Sequence, residues 1–354
     1  HPDERRGFAA LAVVAIDPEA LDVELVAGMR EPANPNIPRK DRPGMVPEHH
    51  HDGLIAAFNG GFKTTHGHYG MTLDEGVQNR YGRRLVRWYA TLGADSRAVE
   101  QNDLYFYGGL FELAAQAAQP LSGLGVYDNR HLVNALFGLV GIVAAWGMGT
   151  HLGGPAAGFL SALFLALTPA FYGHALANPK DIPLASLFAL AAWAILRASE
   201  RVPMLGGREI VTTGVAIGLT AGVRVAGIAL FGFAAALWLG CLWLKRRGQP
   251  DPPGRNHRHP LARLGLAWLG TVVVGWSVMV AFWPWAQLDP VRNPLRGFFK
   301  FSSFSDRMDL LFDGQMLTSG TIPRSYSVTW FAITLPEFYF VALLLGVVAL
   351  FVLT

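Results

Sequence analysis

Residues 133–149, VNALFGLVGIVAAWGMG, and residues 154–173, GPAAGFLSALFLALTPAFYG, are long apolar runs that almost meet. Further runs follow near 182–197, 208–223, 225–244, 264–283 and 336–353. A soluble domain builds helices of about 11–12 residues and covers them with polar surface, whereas a hydrocarbon core about 30 Å thick calls for roughly 20 apolar residues in succession. Of the 354 residues 51% are hydrophobic and 16% charged, and the apolar excess is concentrated after residue 132. The expected fold is mainly α: a polytopic transmembrane helical bundle of about seven spans, with a small, partial α/β or β-rich N-terminal domain. The third and fourth runs are short for a full crossing. The fourth and fifth meet at Gly222-Val223-Arg224, which predicts a tight turn at the membrane surface.

Charge predicts orientation, because Lys and Arg in short loops are retained on the cytoplasmic side. Residues 245–263 carry Lys245, Arg246, Arg247, Arg255, Arg258 and Arg263 against the single acid Asp251, and Arg197, Arg201 and Arg208 mark the loop at 197–208. With seven spans both loops fall on one side of a cytoplasmic (inner) membrane, which puts residues 1–132, 174–181 and 284–335 outside. The outer loop also has basic residues, but they are interspersed with Asp289, Asp306, Asp309 and Asp313. A net charge of +3, with its cations beside apolar runs, favours membrane orientation over nucleic-acid binding. The single cysteine, Cys241, excludes an intrachain disulfide. No signal peptide is visible at the start of the chain, and upstream sequence is expected to be missing.

Residues 8–16, 21–28 and 54–58 read as strands, with a Pro-, Asn-, Arg- and His-rich surface loop at 30–53. His49, His50 and His51 lie in that loop and read as solvated rather than metal-binding.

Between these strands and the apolar runs lies a segment with acidic and aromatic residues. Asp74 and Glu75 precede a helical stretch, where acids favour the N-terminal turn by about 0.3–1 kcal/mol. The pair is followed by Gln78, Tyr81-Gly82, Asp103-Leu104-Tyr105-Phe106-Tyr107-Gly108-Gly109 and Asp128-Asn129-Arg130-His131, then by His174 and Asn178-Pro179-Lys180-Asp181. In this order the motifs resemble the membrane-embedded GT-C glycosyltransferases, in particular the bacterial relatives of protein mannosyltransferases and the aminoarabinose transferase. The resemblance extends from about residue 72 to the end.

It implies a sugar transferred from a polyprenyl-phosphate donor to an acceptor outside the cytoplasmic membrane, with a catalytic acid at Asp74 or Glu75 and further substrate contacts at Lys180 and Asp181. Such a carboxylate would take or orient the acceptor's proton, and fixed cations would stabilise the leaving phosphate. Lys180 and Arg224 are the candidates for the phosphate; Asp181, Tyr107, Asp103 and His174 are candidates for substrate contact. Each has a plainer reading: an interfacial lysine, a charge at a hairpin tip, a belt of interfacial aromatics. No cofactor is expected with certainty. His131 and His174 lack a matching carboxylate at ligand spacing, so no metal site is assigned, although the resemblance is compatible with a divalent ion.

Residues 54–71, LIAAFNGGFKTTHGHYGM, resemble the opening of a phosphodiester glycosidase related to the enzyme that uncovers mannose 6-phosphate. That resemblance singles out Asn59, Gly60, Gly61 and His66, where glycines permit close backbone approach to a phosphate or sugar; a tight turn between strands is the simpler account. The expected organisation is a partial glycosidase-like domain at 1–71 and a GT-C-like region at 72–354, both shorter than the families they resemble. Truncation is therefore expected, with an inactive fragment as one outcome. Two alternatives remain from other classes. A membrane-tethered glycosidase would need the missing half-domain. A transporter or channel-like protein would need ionisable residues along the interiors of several spans, whereas here they lie at span ends and in outer loops.

Overall fold

The computed structural model describes residues 12–14, 56–58, 75–100, 104–247, 258–302, 309–312 and 315–353, and divides into two compact units. One comprises residues 1–75 and 305–337, the other residues 76–304 and 338–354.

In the first unit β1 (Ala12–Val14) pairs antiparallel with β2 (Ala56–Phe58), Val13 opposite Ala57. Two of the expected strands are thus present; residues 21–28 lie outside the described residues, as do Asn59, Gly60, Gly61 and His66. A second antiparallel pair, β3 (Asp309–Phe312) and β4 (Gln315–Thr318), falls in the segment expected to be a loop. Asp313-Gly314 separates the two strands in sequence, a dipeptide that signals a hairpin.

The second unit is helical. An amphipathic helix, α1 (Glu75–Ala90), leads through two short 3-10 turns to α2 (Leu110–Ser122) and α3 (Val126–Leu167). Then follow α4 (Pro169–Ala177), α5 (Asp181–Ser199), α6 (Gly207–Val223), α7 (Ala229–Arg247), α8 (Arg258–Ala281), α9 (Pro284–Leu288) and α10 (Arg292–Ser302). In the chain's last part α11 (Tyr326–Thr334), which belongs to the first unit, precedes α12 (Glu337–Leu353).

The bundle closes through small residues. On α6, Gly214 and Gly218 face α8 so closely that a Cβ on Gly218 would lie 2.4 Å from the Gly275 carbonyl oxygen, and one on Gly214 would lie 2.8 Å from that of Thr271. Lipid tails are as apolar as leucine, so helices in a bilayer gain by backbone approach and van der Waals contact, which glycines permit. Longer side chains fill the space between α7 and α5: Trp238 of α7 is buried and donates its indole N–H to the Ile195 carbonyl at 3.2 Å.

Inside α3, Gly154 adopts φ +80° just before Pro155. A Cβ on Gly149 would lie 2.4 Å from Ser161 Oγ, so the two arms of α3 fold back on each other at this point. Glycine is required there because a left-handed φ is costly for other residues.

Four helices are long and apolar enough to cross a membrane, at 126–167, 181–199, 225–247 and 260–281; a fifth is gained if Tyr326–Thr334 and Glu337–Val348 are one broken span. The expected count of seven is not confirmed. α6 has only 17 residues, about 26 Å of rise, and the second expected run is divided at Thr168-Pro169, where proline cannot continue the α-helical ladder. The tight turn expected at Gly222-Val223-Arg224 is present: α6 ends at Val223, and a 3-10 turn at Val225–Ile228 leads directly into α7.

Candidate functional site

The site lies where α5 begins and α6 ends, two points at the same end of an antiparallel pair. Asn178 builds the entry to α5. Its Oδ1 accepts from the backbone N–H groups of Lys180 (3.2 Å) and Asp181 (3.1 Å), while its Nδ2 donates to Asp181 Oδ2 at 2.9 Å. Asparagine suits this role because its short amide can mimic a backbone turn. The preceding helix end is held from below: buried Asn134 donates to the carbonyls of His174 (2.9 Å) and Ala175 (2.8 Å), and the His174 carbonyl also accepts the Asn178 N–H at 2.8 Å.

Arg224, at the break between α6 and α7, reaches across to Asp181, Nη2 to Oδ1 at 2.9 Å. The same guanidinium lies over the Tyr107 ring, 5.9 Å from its centroid. Tyr107 comes this close because the next residue has no side chain. A Cβ on Gly108 would fall 2.0 Å from the Gly222 carbonyl oxygen, so this backbone packs directly on the last turn of α6. The Gly109 N–H donates to the Phe282 carbonyl at 2.8 Å and ties the segment to α8.

Beneath lies a buried polar layer. Arg130, 1% exposed, grips Glu112 with both terminal guanidinium nitrogens, at 2.7 and 3.1 Å, and donates to Gln78 Oε1 at 3.3 Å. A buried ion pair is tolerable only with such two-pronged geometry, because each charge has left water at a cost of several kcal/mol. Tyr81 donates to the Tyr107 carbonyl at 3.4 Å, and burial, followed by the charge of Glu112 and by Tyr89, holds its hydroxyl pKa far above the ordinary phenolic value. It is a neutral hydrogen-bonding group.

Gln78, Tyr81, Tyr107, Glu112, Lys180 and Arg224 line a cleft of about 40 Å³, together with Leu104, Gly108, Phe111, Pro179 and Val223. That is room for a few water-sized groups. The Asp181 side chain is 60% exposed, and an ion pair at such a site is weak, so an anion entering the cleft can compete for Arg224.

Of the residues singled out in the sequence, Lys180, Asp181, Arg224 and Tyr107 are brought together here. His174 is exposed on α4 and contacts Asn178 through Nδ1 at 3.2 Å, adjacent to the cleft but not in its lining. Glu75 is the first residue of α1 and fully buried; Asp74 and Asp103 lie outside the described residues. Sequence reasoning assigned no role to Glu112, Arg130 or Gln78. The available signal was cost: a lone acid in GGLFELAAQAA must find a cation if it is buried. Among the described residues no group of three or more His, Cys, Asp or Glu is placed to hold a metal ion.

Helices of spanning length, with an ionisable cleft at one end of the α5–α6 pair, define a multi-pass membrane protein. Residues 128–249 match the family model of the dolichyl-phosphate-mannose-protein mannosyltransferases, and the chain is a relative of the GT-C membrane glycosyltransferases. The matched stretch includes Arg130, Lys180, Asp181 and Arg224 and excludes Glu75, Tyr107 and Glu112. Comparisons with curated proteins and with solved structures gave no significant match.

Proposed function

We propose that this protein transfers a sugar from a polyprenyl-phosphate donor to an acceptor on the outer side of the cytoplasmic membrane. The observation that carries the reading is the cleft itself: Arg224 and Lys180 line it together, within the stretch that matches the mannosyltransferase family model. In this reaction the acceptor oxygen forms a bond to the anomeric carbon while the bond from that carbon to the phosphate oxygen breaks. The electron pair leaves with the phosphate, whose negative charge grows as the bond lengthens. Cations fixed beside it therefore stabilise the transition state more than the ground state. Arg224 offers a planar fork of donors suited to phosphate, and Lys180 a point charge on a flexible stem. Asp74 or Glu75 takes the acceptor's proton. Asp181 holds the Arg224 guanidinium in place until the donor enters.

The test measures transfer from radiolabelled polyprenyl-phosphate mannose, and from the host's own lipid-linked sugars, by membranes containing the protein. Asp74→Asn, Glu75→Gln and Arg224→Gln proteins inserted to equal levels serve as controls. One carboxylate variant should abolish transfer, and Arg224→Gln should slow it by about 10²–10³, the usual loss for one group that stabilises a developing oxyanion. Transfer unchanged in all three variants would exclude these roles, and a parent protein that inserts but transfers from no donor would exclude the reaction.

A further inference from the structure

The opposite end of the α5–α6 pair holds a larger cavity, about 270 Å³, that the proposed reaction does not use. Its lining comes from α5, α6 and the turn joining them, so it opens outward from this helical pair. Polarity changes along its length. At the mouth stand Arg197, Arg201 and Arg208; deeper along the same helix faces come Trp193 and Leu190 on one side and Val215 and Leu219 on the other. From Arg208 to Leu219 the rise is about 16 Å, and from Arg197 to Leu190 about 10 Å. The two acids at the mouth are largely engaged. Glu209 accepts from the Gly206 N–H at 3.0 Å and lies 3.7 Å from Arg201, and Glu200 lies 3.5 Å from His151 Nε2. Arg197 stacks on Trp193 at 5.6 Å, and Arg208 shares the charge of Glu209 with Arg201, so three arginines face two acids at the mouth. Nearby, Lys245 donates to the Glu200 and Val202 carbonyls, which brings the basic end of α7 to the same place.

We infer that this groove seats one anionic phospholipid, its phosphate between Arg197 and Arg208 and one acyl chain along Trp193, Val215 and Leu219. Charge complementarity selects the head: cations concentrate at the mouth, and basic pockets between membrane helices attract anionic headgroups. The apolar depth selects a lipid over a free anion, which would leave Leu190 and Leu219 facing nothing. The inference is independent of the transfer reaction, because no lining residue is shared with the cleft.

Native mass spectrometry of the detergent-purified protein tests it, with phosphatidylglycerol and phosphatidylcholine of identical chains. Phosphatidylglycerol should be retained and phosphatidylcholine lost. Replacing two arginines, Arg197→Gln with Arg208→Gln, should weaken retention about thirtyfold, from about 1 kcal/mol for each cation. Val215→Trp, which fills the groove and leaves the mouth intact, should also abolish it, so a failure of the arginine variant to fold does not remove the test. Equal retention of the two lipids, or phosphatidylglycerol held unchanged by both variants, overturns the inference. Displacement of the lipid by millimolar inorganic phosphate also overturns it, since that would mark a simple anion site.

Discussion

Removing Arg130 should cost more than any surface substitution in this protein, and removing its partner as well should restore much of the loss. In the native fold the guanidinium makes two bonds to Glu112, at 2.7 and 3.1 Å, a third to Gln78 at 3.3 Å, and lies 5.4 Å from the centre of the Phe111 ring. Arg130→Met keeps most of the volume but takes the two-pronged guanidinium contact from Glu112, whose side chain is only 10% exposed. Breaking a buried pair from one side costs about 3–5 kcal/mol, because the remaining charge loses its main compensation. At about 2–4 °C per kcal/mol for a domain of this size, the melting temperature should fall by roughly 6–20 °C. The double variant Arg130→Met with Glu112→Leu replaces the pair by apolar groups and should lie within about 1–2 kcal/mol of the parent. Tryptophan-fluorescence melts of the detergent-purified proteins complete the double-mutant cycle. If Arg130→Met melts within 2 °C of the parent, or if the two single losses simply add, the pair is not the buried, coupled unit described here.

Other outcomes follow from single contacts. Gly218→Ala places a methyl 2.4 Å from the Gly275 carbonyl oxygen and should destabilise the α6–α8 contact by about 1–3 kcal/mol, seen as a lower melting temperature, whereas Gly232→Ala, which meets no atom within 4 Å, should be nearly neutral. Asp181→Asn removes a largely exposed ion pair, so stability should change by less than about 1 kcal/mol, while the apparent donor KM shifts because Arg224 loses its anchor. Tyr89 donates to the Ala281 carbonyl at 2.7 Å, and burial pushes its pKa up to about 12 from 10.0, partly offset by a hydrogen bond from Gln287. The folded state then binds the phenolic proton more tightly than the unfolded one, so this contribution is complete below pH 10 and is lost as pH rises from about 10 through about 12. Melts at successive alkaline pH values should show a shallower decline for Tyr89→Phe than for the parent.

The membrane-spanning character was legible because hydropathy over some 20 residues is a local property set by the thickness of the bilayer. Arg224 stood out for a related reason, since a charge between apolar runs is costly and must have a use or a route to water, whereas Lys180 and Asp181 were singled out by the resemblance to the GT-C glycosyltransferases. The β3–β4 pair was missed although Asp313-Gly314 marked it, because two four-residue strands produce little periodicity inside a long polar segment. The count of seven spans is not confirmed because α6 has only 17 residues and the first two apolar runs lie largely in one kinked helix, Val126–Leu167.

By itself, then, the sequence determined a helical membrane protein, a tight reversal at Arg224, and which charges stand at the helix ends. Only the tertiary structure decided which of those charges meet. Arg224 faces Asp181 because Asn178 turns the chain into α5, and Tyr107 joins them because Gly108 and Gly222 let two backbones touch. Arg130 found Glu112 and Gln78 in the same way, across distances in sequence that no local pattern encodes. The physical reason is that hydropathy is summed along a segment, whereas the pairing of charges depends on which segments pack, and packing is decided by shape.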